Sequence, residues 1–240
     1  MINEKLSDKL SLLAGLRLEN TNVEATGNQI EGEENILGTI TKKSNYTNVL
    51  PGVHFKYNVS NNTVLRFAWT NTLARPNYAD LVPSIDVVTD DEEVVLGNPD
   101  LDATTSMNFD LMAEHYFKNV GIISGGVFQK NIKDFVYTFQ TEVANDAYGT
   151  GTTGYDSYQP QNGDDANILG AEISIQRRLD FLPSIAKNLS VMLNYTYLTS
   201  SADGIRNSDG EERTDVDLPG TAPNMFNGSL AYSDKKLSLR

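Results

Sequence analysis

Alternation of apolar and polar positions over long runs is the feature that most restricts the fold of this chain. One series of alternate residues comprises Met107, Phe109, Leu111 and Ala113, and the other comprises Asn108, Asp110, Met112 and Glu114. A period of two places the two series on opposite faces of a strand, and it does not fit a helix. The same period recurs in residues 63–74, 167–178 and 189–199. The chain is therefore predicted to be all-β, with strands that are apolar on one face and polar on the other.

The predicted strands are long. They cover residues 10–20, 46–58, 63–74, 104–117, 120–140, 167–178, 189–199 and 223–233, and a ninth begins at 236–240. Most exceed the usual globular strand of about 5–6 residues and reach the about 9–11 residues with which a tilted strand crosses a bilayer. No stretch approaches the roughly 20 apolar residues of a membrane helix. The mean hydropathy of -0.36 still fits a transmembrane barrel, because the inner face of such a barrel is polar.

Long and short connections alternate between these strands. The long ones are predicted at residues 21–45, 75–103, 141–166 and 200–222, the short ones at 59–62, 118–119 and 234–235, and one of medium length at 179–188. In an up-and-down antiparallel sheet, alternate connections lie at opposite ends, so one end carries every large loop. Outer-membrane barrels have this asymmetry. A soluble β-sandwich or a lipocalin-like barrel also alternates in polarity and stays open as an alternative at this point.

Composition excludes several classes of function. The net charge is -13 and Lys and Arg do not cluster, which argues against nucleic-acid binding. There is no Cys and there are two His, His54 and His115, so a thiol nucleophile and a Cys-based metal site are excluded. No Gly-x-Ser-x-Gly motif is present. We predict no enzymatic activity, no metal site and no cofactor.

Several segments together resemble the barrel of TonB-dependent outer-membrane receptors. They are LPGVHFKYNVSNNTVLRFAWTNTLARPNYADLVP (50–83), LGNPDLDATTSMNFDLMAEHYFKNVGIISGGVFQKNIKDFVY (96–137), NILGAEISIQRRLDFLP (167–183) and NYTYLTSSADG (194–204). The resemblance covers most of the chain and rests on the order and spacing of these segments. It implies an antiparallel up-and-down transmembrane β-barrel segment, with about eight full strands plus part of a ninth of a larger, 22-stranded barrel.

The resemblance also implies a domain organisation. Residues 1–240 are expected to be a partial barrel domain, because neither a plug-like region nor a terminal strand ending in an aromatic residue is found. No secretion signal follows Met1, so either the protein stays inside the cell or this chain is an internal piece of a longer protein. A self-contained eight-stranded barrel is the other geometric option.

The function that the resemblance implies is TonB-dependent uptake of a scarce nutrient, such as a metal chelate, a vitamin or an oligosaccharide, across the bacterial outer membrane. The expected partners are outer-membrane lipid, the nutrient and, through the plug, the TonB complex. Two alternatives are a passive outer-membrane pore or adhesin and a soluble β-sandwich binding module.

Candidate site residues lie in the loop that starts at Arg75. Its prolines and Gly97 suggest an ordered lid over the barrel mouth. If the resemblance holds, Arg75, Tyr78 and Asn98 face the lumen near a ligand. Alternatively, Arg75 and Asn98 only anchor the loop. The run Asp90–Glu93 lacks the spacing of a calcium loop and is interpreted as a solvated acidic tip.

Overall fold

The computed structural model describes residues 2–31, 35–118 and 121–239. The described residues form sixteen strands and one short 3-10 helix, Ser184–Asn188. In chain order the strands are β1 Ile2–Lys5, β2 Leu10–Glu31, β3 Asn35–Ser60, β4 Thr63–Ala74, β5 Ile85–Val88, β6 Glu93–Leu96, β7 Thr104–Tyr116, β8 Gly121–Lys133, β9 Val136–Glu142, β10 Asp156–Asn162, β11 Asp165–Arg178, β12 Leu189–Ala202, β13 Ile205–Arg206, β14 Glu212–Arg213, β15 Asn224–Ser233 and β16 Ser238–Leu239. No helix in the described ranges is long and apolar enough to cross a membrane.

Eight long strands form a continuous antiparallel sheet, which we call the wall. They are β2, β3, β4, β7, β8, β11, β12 and β15, and each pairs with its neighbour in chain order. β16 begins a ninth strand by pairing Leu239 with Tyr232, and β1 pairs with the start of β2. The predicted up-and-down arrangement of about eight full strands and part of a ninth is confirmed.

The two ends of the wall differ. At the turn end, short connections join β3 to β4, β7 to β8, β11 to β12 and β15 to β16. At the loop end, residues 75–103, 134–164 and 203–223 join β4 to β7, β8 to β11 and β12 to β15. The predicted alternation of long and short connections is therefore present in this part of the chain.

The long connection predicted at 21–45 is wrong. β2 and β3 continue through it as one hairpin, paired from Leu10 with Tyr57 up to Glu31 with Asn35; residues 32–34 lie outside the described part. Asparagine side chains support this polar extension: Asn22 donates to Asn20 at 2.8 Å, and Asn20 donates to the Thr47 hydroxyl at 2.9 Å. Backbone pairing and these bonds stabilise strands that have no continuous apolar face.

The single strand predicted over 120–140 is also wrong. β8 ends at Lys133, because Asp134 has a φ of 56°, which interrupts the extended backbone. β9 then leaves the wall and pairs with β10, whose other edge pairs in parallel with β6. β6 pairs with β5, and β5 reaches β2 through the pair Gln29–Ile85. The four strands β5, β6, β10 and β9 form the loop sheet, which links two separate parts of the wall.

Alternation sorts the side chains of the wall as predicted. Leu65 pairs with Ala113, Leu111 with Val127, and Ile173 with Tyr195, so apolar residues lie beside one another across the strands on what we call the apolar face. The opposite, polar face carries Arg66, Asp110, Glu114, Glu172 and Asn194, among others.

The apolar face is open. Leu65, Ile173 and Leu193 are 38%, 46% and 39% exposed, and Phe109 is half-buried. A soluble sandwich would bury these side chains together against a second sheet, and no second sheet of described residues covers them. The sandwich alternative is therefore wrong.

Most fully buried apolar residues lie at the loop end. One cluster joins the loop sheet to the following loop through Val87, Val94, Leu96 and Val143, and a second consists of Phe135, Tyr137, Ala166 and Ala202. The dry core of this chain is thus assembled from its loops and gives them a defined structure.

Candidate functional site

A cavity of about 690 Å³ opens between the loop sheet and the loop end of the wall. Its lining comes from β6, β9, β10 and the residues adjoining them, the start of β7, and loop residues within 75–84 and 218–219. The lining residues are Arg75, Pro76, Asn77, Ala79, Asp80, Ser84, Val95, Leu96, Gly97, Thr104, Phe135, Val136, Tyr137, Thr138, Tyr158, Pro160, Leu218 and Pro219. Its size lies in the range of small-molecule sites.

Aromatic rings form one side of the cavity. The Phe135 and Tyr137 rings lie 6.2 Å apart at 43°, and the Tyr137 hydroxyl accepts a hydrogen bond from the Arg206 backbone N–H at 3.1 Å. Gly163 leaves room for Phe135, because a Cβ at Gly163 would lie 2.2 Å from that ring. This side of the cavity is therefore pre-formed. Phe135 and Tyr137 are themselves buried, so the half-buried Tyr158 is the lining aromatic side chain that can stack against an apolar or sugar-like ring.

Arg75 lines the cavity but is already paired. Its Nε donates to the Thr21 hydroxyl at 3.1 Å, and its terminal nitrogen forms an ion pair with Glu19. Glu19 also pairs with Arg17 at 2.6 Å. Arg75 thus connects the start of the loop to the extension of β2, which is the anchoring role that the sequence left open beside ligand binding.

Asn98 and Tyr78 take up different positions. The Asn98 side chain donates to the Pro160 carbonyl at 2.9 Å and accepts from the Asp100 N–H at 3.1 Å, so it ties its loop to β10. Tyr78 is 75% exposed and is not among the lining residues. The structure places Arg75 in the lining and Asn98 at its border, and it leaves Tyr78 outside. Ligand binding by these three residues stays a prediction.

Sequence reasoning missed Phe135, Tyr137 and Tyr158. A signal was present, since Phe135, Tyr137 and Phe139 alternate. The strand predicted over 120–140 places these residues in the wall, whereas the positive φ of Asp134 turns the chain out of it.

The polar face carries a second set of charged groups near the turn end. Arg66 donates to both oxygens of Glu114, at 2.8 and 3.2 Å, and the Tyr116 hydroxyl donates to Glu114 at 2.7 Å. His54 and Asp110 line a depression of about 500 Å³ beside them. In the described ranges no group of three or more His, Cys, Asp or Glu residues is placed to hold a metal ion.

The junction between β8 and β9 contains a carboxyl group with a shifted pKa. Burial, and then the negative charge of Asp102, raise the pKa of Asp134 above its ordinary value of 3.8. A group whose pKa is raised on folding stabilises the fold fully below its unfolded pKa, and this stabilisation is lost as the pH rises through the folded pKa. At neutral pH the ionised Asp134 therefore weakens the junction.

We expect Asp134→Asn to strengthen this junction at neutral pH. Asparagine tolerates the positive φ and carries no charge, so the gain should be small, within about 0.5 kcal/mol. Amide hydrogen exchange of residues 135–162, corrected for intrinsic rates, should slow at pH 7 and lose part of its dependence on pH between 7 and 4. Faster exchange in the variant at pH 7 would contradict the assignment.

Comparisons with known proteins agree with this architecture. The sequence matches the family described as TonB dependent receptor-like, beta-barrel, over residues 3–239. No curated protein sequence matches the chain. Among solved structures it is similar to the copper transporter OprC, with 17% identity and a TM-score of 0.63 over 97% of this chain and 31% of that one. The ferric-catecholate import receptor Fiu from K12 E. coli shows 15% identity and a TM-score of 0.63, covering 98% and 31% of the two chains.

A third similar structure is the siderophore receptor PirA from Acinetobacter baumannii, with 17% identity and a TM-score of 0.57 over 98% of this chain and 30% of that one. The chain thus spans about a third of the length of these proteins. At sequence identities of 15–17%, the structural similarity shows the fold alone. Together with the family match over almost the whole sequence, it establishes that this chain belongs to the TonB-dependent receptor β-barrel family.

Proposed function

We propose that this chain supplies part of the barrel wall and the extracellular loops of an outer-membrane receptor that takes up a scarce nutrient by TonB-dependent transport. The observation that carries the proposal is the aromatic-lined cavity at the loop end of a wall with one open apolar face and one polar face. Hydrocarbon would contact the apolar face, and the polar face would enclose water.

The orientation follows from the two ends of the wall. Outer-membrane barrels have short periplasmic turns and long extracellular loops. The loop end would therefore face the outside, where a ligand is captured, and the turn end would face the periplasm.

We infer that residues 1–240 form a partial barrel domain. The family match and the share of about a third of the similar structures support this reading. The plug and the remaining strands would lie elsewhere in the full-length protein, and TonB would act through the plug. Release of the ligand into the periplasm would then depend on energy that this segment does not supply.

The charge of the loop end favours a neutral or cationic ligand. The three loop segments, residues 75–103, 134–164 and 203–223, hold 19 Asp or Glu and three Arg. The negative charge of the chain, whose net charge is -13, is therefore concentrated in them. In the cavity, burial and then Asp156 and Glu93 raise the pKa of the Tyr158 hydroxyl. Among the described lining residues Arg75 is the one cation, and it is paired. A strongly anionic ligand would meet repulsion on approach.

Uptake by cells that produce the full-length protein tests the proposal. The probes are a neutral oligosaccharide, a neutral iron–hydroxamate chelate and an anionic iron–catecholate chelate. We expect saturable uptake of a neutral probe that stops when a protonophore is added. Tyr158→Ala should reduce this uptake about tenfold, the equivalent of about 1.4 kcal/mol of aromatic contact. Tyr197→Ala on the apolar face is the matched control and should leave uptake unchanged.

One result would overturn the proposed transport, and another would overturn only the proposed ligand charge. Uptake that continues with the protonophore would indicate a passive pore. Protonophore-sensitive uptake of the catecholate chelate alone would retain transport and refute the ligand charge.

A further inference from the structure

Arg177 lies at an unusual place for a cation. It pairs with Val191 and Gly121 at the turn end of β11. Arg177 is two residues after Ile175, which pairs with Leu193 and Ile123, so alternation places both on the apolar face. Phe181 and Ile185 in the adjoining connection are 62% and 71% exposed. In the proposed orientation, this corner lies where the hydrocarbon of the periplasmic leaflet meets its headgroups.

Two aromatic rings hold the Arg177 side chain. Its guanidinium carbon lies 4.1 Å from the centre of the Phe117 ring and 4.6 Å from that of Phe181. Both distances are within the range of cation–π attraction. Gly121 makes room for the stem, because a Cβ there would lie 3.0 Å from Arg177 Cγ. Three separate segments of the chain therefore shape one slot for this side chain.

The two ring contacts do not use the N–H donors of the guanidinium group as hydrogen-bond donors to oxygen. Arg177 contacts the Phe117 and Phe181 rings. Among the described residues, none forms a hydrogen bond or an ion pair with its guanidinium group. The neighbouring Arg178 differs, because it donates to the Lys187 carbonyl at 3.2 Å and to the Asn188 side chain at 3.1 Å. A planar fork of N–H donors, pre-oriented by stacking, matches the oxygens of a phosphate.

We propose that Arg177, stacked between Phe117 and Phe181, binds the phosphate of a membrane phospholipid in the periplasmic leaflet. The acyl chains would lie along the apolar face below it, against Ile175 and Leu193. Charge complementarity selects the phosphate, and the adjoining apolar face selects a lipid over inorganic phosphate. The proposal rests on the orientation given above, and it does not depend on which nutrient is transported.

Native mass spectrometry of the full-length protein in detergent, titrated with phosphatidylglycerol, tests the site. We expect Arg177→Gln to weaken binding of the most tightly held lipid about tenfold. Phe181→Leu should weaken it severalfold, because it keeps apolar bulk and removes one ring face. Phe181 is exposed, so this second variant tests the site even if Arg177→Gln does not fold. Arg178→Gln is the matched control, and we expect its lipid affinity to stay within twofold of the unmodified protein.

Equal loss of lipid in Arg177→Gln and Arg178→Gln would overturn the proposal, since it would indicate a general effect of positive charge. Unchanged binding in either Arg177→Gln or Phe181→Leu would also overturn it. Inorganic phosphate is titrated as a separate arm. Competition by phosphate at concentrations similar to those of the lipid would show an ion site and would refute a lipid site.

Discussion

Replacing Ile173 by arginine is expected to destabilise the protein by about 2–4 kcal/mol, the cost of a cation near the middle of a face that, as we propose, contacts lipid. Ile173 lies near the centre of β11, on the apolar face, and is 46% exposed. Its cross-strand neighbours are Gly125 and Tyr195, so the described partners offer no carboxylate to the new charge. In hydrocarbon the guanidinium would lose its hydration.

The adjacent residue provides the control. Ser174 points to the polar face, where it pairs with Ser124 and Asn194. If water lies on that side, Ser174→Arg should change the free energy of unfolding by no more than about 0.5 kcal/mol. Guanidinium titration of the full-length protein refolded into phospholipid vesicles, followed by circular dichroism, compares the two. Equal costs for both variants would show that the apolar face does not contact hydrocarbon.

Replacing Gly97 by alanine is expected to open the loop that covers the cavity. A Cβ at Gly97 would lie 1.7 Å from the Val82 carbonyl oxygen, a distance that real atoms do not adopt. The same two segments are joined by a hydrogen bond, because the Gly97 N–H donates to the Ser84 carbonyl at 3.0 Å. Because the obstacle is backbone, the two segments must separate, at a cost of about 1–3 kcal/mol or more.

The loss should be local and measurable. Amide hydrogen exchange of residues 82–97 should accelerate by about tenfold to a hundredfold, as about 1.4 kcal/mol corresponds to a factor of ten. Gly52→Ala is the control, because its Cβ would lie 3.8 Å from the nearest atom, the Trp69 carbonyl oxygen. Unchanged exchange in Gly97→Ala would mean that the loop does not pack as described.

The wall could be predicted well because its side chains face two different environments. β4 and the start of β7 occupy the predicted residues, since a one-residue slip would turn every apolar side chain to the wrong face. Beyond the apolar face, toward the loop end, alternation no longer indicates which residues form strands. The extension of β2 and β3 is mostly polar and has no continuous apolar face, so its composition is similar to that of a loop.

The candidate site could be predicted only in part. Arg75 lines the cavity, but the aromatic side of the cavity depends on the parallel pairing of β6 with β10, across about sixty residues of sequence. A single sequence carries no local signal for such pairing. The anchoring bonds of Asn98 to Pro160 and of Arg75 to Thr21 connect equally distant segments.

The contact between Gln29 and Ile85 has a consequence for the edge of β2. β5 occupies that edge at Gln29, and the close approach of the chain at Pro83 to Gly27 leaves no space for a side chain there. Any other strand that pairs with this edge of β2 must end on the turn-end side of Gly27. In the closed barrel that we propose, the rim should therefore have a gap beside β2 at this point, covered by residues 83–85.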